Sequence, residues 1–185
     1  MTDASDCRWT EVAPDYWGRL QDFSCATEID AFSSFDTVKR HGHYYPVFEW
    51  EVQSTIRNFR ACDAAKQWAE ICVSKDKQER IWSFVWFGVV GGKKRDANGS
   101  YMIGYIARSL ETQGCHFGDA TLHHALAVLK KNQKETGRRP VIGARIDPMN
   151  LGSINLFKRN GFIDMGVDPE ATEYHRWVRI GFDDI

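Results

Sequence analysis

A mixed α/β fold of the α+β kind, helical in its first part and sheet-forming in its second, follows from three features of the sequence. "RIWSFVWFGVV" at 80–90 fills both alternating sets with aromatic and β-branched residues, the mark of an interior strand. "YMIGYIARS" at 101–109 returns as its antiparallel partner after the turn-forming "GGKKRDANGS". Apolar stripes at helical spacing lie on either side of this hairpin.

In chain order, Ile29, Phe32, Phe35 and Val38 predict a short amphipathic helix over 27–40, stopped by His41-Gly42. Beyond Pro46, Val52, Ile56, Phe59 and Trp68 predict one long helix or two broken ones from Glu49 to about Ser74, so everything before Arg80 reads as mostly helical. After the hairpin, Leu122, Ala125, Leu126 and Leu129 form a helical stripe that ends at Gly137. "PVIGARI" is a further strand, a helix opens near Asn150 and stops at Asn160-Gly161, and "YHRWVRIGF" is the last strand. With no repeat or linker, 1–185 reads as one domain, helical over about 1–79 and sheet-rich over about 80–185.

Composition narrows the function. The 185 residues are 43% hydrophobic and 26% charged, ordinary for a globular chain with ample core material. A net charge of -1 gives no global attraction to phosphate backbones, which argues against nucleic acid as a general partner. The acidic N-terminus lacks the basic and apolar regions of a secretory signal, and no stretch is apolar enough to span a bilayer. Five cysteines without a C-x-x-C point to neither a disulfide scaffold nor a zinc knuckle, and to a reducing cytoplasm. Asn98-Gly99-Ser100 reads as a turn, and His41 with His43 lacks a third ligand, so no metal is expected.

Two stretches carry chemistry. "RSLETQGCHFGDATL" at 108–122 joins a strand end, a glycine-containing bend and a helix N-terminus, an arrangement in which backbone N–H groups converge on an anion. A tight turn alone would use Gly114 and Gly118 equally well. "RIDPMNLGSINLFKRNGF" at 145–162 opens a helix on Asn-Leu-Gly-Ser, a weak start by propensity, where Asn150 and Ser153 are also ordinary cap and first-turn residues.

Together they resemble a known family. "QGCHFG" is similar to the Q/R-G-x-G-x-G/A loop of the GCN5-related N-acetyltransferase superfamily, and "IDPMNLGSINLFKRNGF" resembles its D-P-x-N-x-x-S-x-x-L-x-x-x-G-F segment. The likeness covers 80–180, fades over 1–79, and is greatest to the branch that acetylates ribosomal-protein α-amino groups. It implies a mainly antiparallel central sheet flanked by helices, with a cofactor cleft between two splayed strands. It also implies acetyl-coenzyme A as acyl donor, an amine of a peptide or small molecule as acceptor, and a homodimer as the candidate assembly. On this resemblance the pyrophosphate belongs to Gln113, Gly114, Cys115, His116, Phe117, Gly118 and Asp119. The pantetheine belongs to the backbone around Ile106 and Arg108 and to Asn150, while Ser153 faces the departing thiolate.

Some positions depart from the pattern. Phe157 replaces the tyrosine that serves many relatives as general acid, leaving Ser153 as the thiolate donor and Phe157 as a cofactor contact. For the base, Asp164 stands one residue from the position of the branch's glutamate, with Tyr105, Glu111 and His175 as alternatives. His116 occupies the place of the middle glycine, and Asp119 sets a negative charge beside the expected phosphates. Two other readings stand beside the enzyme: a degenerate module that holds coenzyme A, and a toxin-type acetyltransferase of aminoacyl-tRNA, to which "FSCATEIDAF" bears a faint likeness.

Overall fold

In the computed structural model, residues 6–26, 47–60, 66–91 and 99–182 are described. Along the chain come β1 (Cys7–Glu11), α1 (Trp17–Gln21), α2 (Val47–Arg57), β2 (Gln67–Ser74), β3 (Ile81–Val90) and β4 (Ser100–Arg108). They are followed by α3 (Phe117–Thr136), β5 (Val141–Ile146), α4 (Leu151–Arg159), β6 (Ile163–Asp168) and β7 (Ala171–Ile180). The strands form one sheet in the order β1-β2-β3-β4-β5-β7-β6, antiparallel except where β4 runs parallel to β5.

Both faces of the sheet are covered, which is why β3 is apolar on both of its alternating sets. On one face Leu122, Ala125, Leu126 and Leu129 of α3, with Leu156 and Phe157 of α4, pack on Val85, Phe87, Tyr101, Ile103, Ile142 and Ala144. On the other, Tyr16, Leu20, Phe23, Ile56 and Phe59 pack on Ala69, Ile71, Val73, Ile81 and Phe84. The stripe in α3 ends as expected at Gly137, which takes the left-handed conformation (φ 67°) that glycine tolerates.

The first part of the chain corrects the sequence reading. The helix expected to run to about Ser74 ends at Arg57, and Gln67–Ser74 is a strand with six consecutive buried residues. Burial on both faces removed the period-2 signal that would have announced it. Strands β1 and β6 also add to the expected order. Cys7 and Cys72 form a disulfide between β1 and β2, where the sequence suggested no disulfide scaffold. The helix expected over 27–40, the His41–His43 pair and residues 92–98 of the hairpin loop lie outside the described residues. Among the described residues no helix is long and apolar enough to cross a membrane.

Two features of β4 create the site. Its parallel pairing with β5 spans only Tyr101↔Ile142, Met102↔Gly143 and Ile103↔Ala144, although β4 continues to Arg108. From Gly104 onward the edge of β4 that faces β5 is open. A bulge accompanies the parting: Trp86 pairs with Tyr105 but Phe87 with Ile103, so Gly104 is the extra residue. Tyr101 and Ile103 face α3, whereas the bulge turns Tyr105 and Ala107 toward α1 and α2.

Candidate active site

Two cavities flank the parting of β4 and β5, of about 330 and 320 Å³. Phe48, Val52, Ile106, Asn150 and Ser153 line both, so the two spaces meet at the middle of the gap.

The first cavity runs from this junction to the N-terminus of α3. Gly114 turns the chain with φ 81°, and His116 caps α3 in the left-handed region (φ 56°) without a side-chain cap bond. Phe117, Gly118 and Asp119 follow, and the geometry of a helix leaves such first-turn N–H groups without internal acceptors. They define an anion cradle beside Gly114, His116 and Gly118, all of which line the cavity. A Cβ on Gly118 would meet Leu156 at 3.7 Å, so that position borders the opposite wall formed by α4.

The charge of Asp119 has a partner that the sequence reading missed. Arg159 grips it in bidentate fashion at 2.7 and 2.6 Å, and Asn160 Nδ2 donates to it at 3.1 Å. The Arg159 hydrogen bonds hold the Asp119 carboxyl below its ordinary value, and the guanidinium cancels the repulsion expected at the phosphates. Spacing held the signal: Ser153, Leu156 and Arg159 recur every three residues of α4, on one face that lines the cavity.

At the junction, Asn150 caps α4, its Oδ1 accepting the Ser153 N–H at 3.0 Å. The capping role and a place in the site therefore coincide. Ile106, Ala107 and Arg108 line the first cavity from the open strand. Glu49 and Cys25 close it from the other side; burial raises the Glu49 carboxyl, with Arg108 pulling it back, and pushes the Cys25 thiol up to about 12. Cys25 is thereby a thiol at neutral pH and no nucleophile.

Other expected residues lie elsewhere. Gln113 is exposed, and Cys115 packs beside Cys7, Cys72, Trp82 and Phe117, away from the cavity lining. Phe157 is buried, packed edge-on against Phe162 at 4.8 Å, and lines only the second cavity. Asp164 lies apart from both cavities: β7 separates its strand from β5, and the carboxylate binds His175 at 2.9 Å. That bond also holds its pKa low, the wrong direction for a base. Of the alternatives, Glu111 pairs with Arg80 at 3.3 Å and His175 is the partner of Asp164, whereas Tyr105 lines the second cavity. Glu51 and Tyr174, also in that lining, come from segments that no motif marked.

No protein-family model and no curated protein matches the chain by sequence. Its structure is similar to that of AtaTR bound with acetyl-CoA, with a TM-score of 0.61 and 16% identity over 95% of this chain and 94% of that one. It is similar to the PaiA N-acetyltransferase of Thermoplasma acidophilum in complex with coenzyme A, at 0.60 and 9% over 95% and 99%. The structure named a putative acetyltransferase of the GNAT family from Desulfovibrio desulfuricans matches at 0.56 and 13% over 93% and 96%. At such identities the likeness is one of fold, and the fold is that of the GCN5-related N-acetyltransferases. None of the three is described as a ribosomal-protein acetyltransferase, so the branch expected from the motifs gains no support.

Proposed function

We propose that the chain is an N-acetyltransferase that moves an acetyl group from acetyl-coenzyme A to a primary amine of a small molecule or a peptide N-terminus. The observation that carries this reading is the open edge of β4 beyond Ile103, which leads from the first-turn N–H groups of α3 to Ser153. An anion cradle, a strand edge with unpaired backbone groups and a hydroxyl at the far end match in order a pyrophosphate, a pantetheine amide chain and a thioester. Gly114, His116, Gly118 and Arg159 would hold the phosphates, Ile106, Arg108 and Asn150 the arm, and coenzyme A would supply the activated acyl group.

Transfer forms a C–N bond as the C–S bond breaks, releases the sulfur as a thiolate and frees one proton from the amine. Ser153 is the donor to that thiolate, since Phe157 has no proton to give. Glu49 replaces Asp164 as the base, because its raised pKa suits proton uptake and it lines the cavity.

Likeness to AtaT, a toxin crystallised with its antitoxin AtaR, favours one second reading, a toxin that acetylates aminoacyl-tRNA. Calorimetry with acetyl-coenzyme A, followed by thiol release across a panel of amines and charged tRNA, separates the readings. Micromolar binding with amine-dependent thiol release is expected. Binding without release to any acceptor points to a degenerate module, and no binding defeats the proposal.

A further inference from the structure

The second cavity holds a cluster that the cofactor does not need. Glu51 of α2 accepts from the Tyr105 hydroxyl on Oε1 at 3.2 Å and from the Tyr174 hydroxyl on Oε2 at 3.0 Å. Three elements distant in sequence thus converge on one carboxylate, and all three side chains line the cavity. The bulge at Gly104 is what brings Tyr105 to this side, where its ring stacks on Trp86 at 5.5 Å. Burial raises both phenols, Thr55 pulling Tyr105 back and Glu51 adding to both, so each hydroxyl stays a donor.

A carboxylate has about four lone-pair sites, and the tyrosines occupy one on each oxygen. The rest can accept from a ligand. The remaining charged groups of the lining are Asp147 and Arg145. Arg145 is engaged by Asp168 at 2.8 Å and Glu170 at 2.6 Å, so its charge is balanced outside the cavity. Among the described residues, Glu51 and Asp147 therefore set a negative potential in this space.

We infer that Glu51, held by Tyr105 and Tyr174, is the seat of the acceptor, and that the acceptor is an aliphatic amine arriving as its ammonium ion with no carboxylate or phosphate beside the nitrogen. The inference rests on the acetyltransferase reading for the fate of that amine, but not for its binding. An ammonium donates to Glu51, while the tyrosines fix the carboxylate and act as positioning residues; transfer then takes two protons from the nitrogen, one to solvent before attack and one to Glu49 as the C–N bond forms. Asp147 gives a second cation on the same molecule a partner, which favours a diamine over a monoamine. A phosphate-bearing acceptor meets two negative charges.

The test uses the full chain saturated with coenzyme A and titrated calorimetrically with 1,4-diaminobutane, butylamine and glutamate. Both amines should bind, the diamine more tightly, and glutamate should not. Glu51→Gln keeps an oxygen for one tyrosine and should weaken the diamine at least about tenfold, the scale of one hydrogen bond to a charged group. Its affinity for coenzyme A should not change. Tyr174→Phe, which keeps the ring, should give a smaller loss and serves if Glu51→Gln does not fold. Unchanged diamine affinity in either folded variant, or glutamate binding as well as butylamine, overturns the assignment. Amine binding that depends on Glu51 in a protein that releases no thiol would instead overturn the acetyltransferase reading alone.

Discussion

The two cavities meet at Ser153 yet are built by different means. The first takes in the first turn of α3, the open edge of β4 and the capped start of α4, segments that stand in local sequence motifs. The second takes in residues carried together from α2, β4, β5, α4 and β7. Backbone geometry depends on a few local residues, whereas a cluster such as Glu51, Tyr105 and Tyr174 depends on the whole fold to assemble it. One side can therefore keep its ligand while the other changes its own.

Four experiments would break or sharpen that contrast. The largest effect is expected at the junction, where Ser153→Ala should lower kcat by about ten- to a thousandfold, the scale of losing one transition-state donor. Binding of acetyl-coenzyme A should hold; a variant with full kcat removes Ser153 from the mechanism. Among the locally patterned residues, Gly118→Val should raise the coenzyme A dissociation constant about tenfold, or about 1.4 kcal/mol, by setting side-chain bulk where phosphate must approach the backbone. Calorimetry on the folded variant should show the loss for the cofactor and none for a bound amine.

Among the residues brought together over long range, Arg145→Met should shift acid unfolding to higher pH. Asp168 is fully buried, and its hydrogen bond from Arg145 is the largest cause of a strongly depressed pKa. Because the folded pKa lies below the unfolded one, this group's stability is present above the ordinary carboxylate range and lost as pH falls toward the folded value. Without Arg145 the folded pKa rises and the loss begins earlier; circular dichroism along a pH titration should show it, with the wild type as reference. The smallest effect belongs to His116→Gly. A non-glycine residue in the left-handed region costs roughly 1–2 kcal/mol, partly offset by the greater chain entropy of glycine, so thermal melts should show a gain below about 1 kcal/mol. Loss of coenzyme A affinity in the same variant would show that the imidazole contacts phosphate.

The same contrast explains what could be read from the sequence. Gly114, Gly118, Asn150 and Ser153 stand in local patterns, and the structure brings them around one cavity. Arg159 was within reach, since only the helical spacing from Ser153 had to be followed to find the partner of Asp119. Glu51 and Tyr174 are 123 residues apart, and no local pattern joins them. The place of Asp164 outside both cavities was not legible, because its distance from the motif said nothing of the intervening strand. Over the first part of the chain, two-sided burial hid β2 among helical spacings, and β1 is only five residues long.

The brief parallel seam between β4 and β5 has one more consequence. Among the described residues it alone joins β1 through β4 to the group of β5, β7 and β6 within the sheet, and it does so with three residue pairs. A ligand seated along the open edge would act as a missing eighth strand, continuing the sheet where the polypeptide leaves off. The boundary between protein and ligand would then be a matter of covalent accounting more than of architecture.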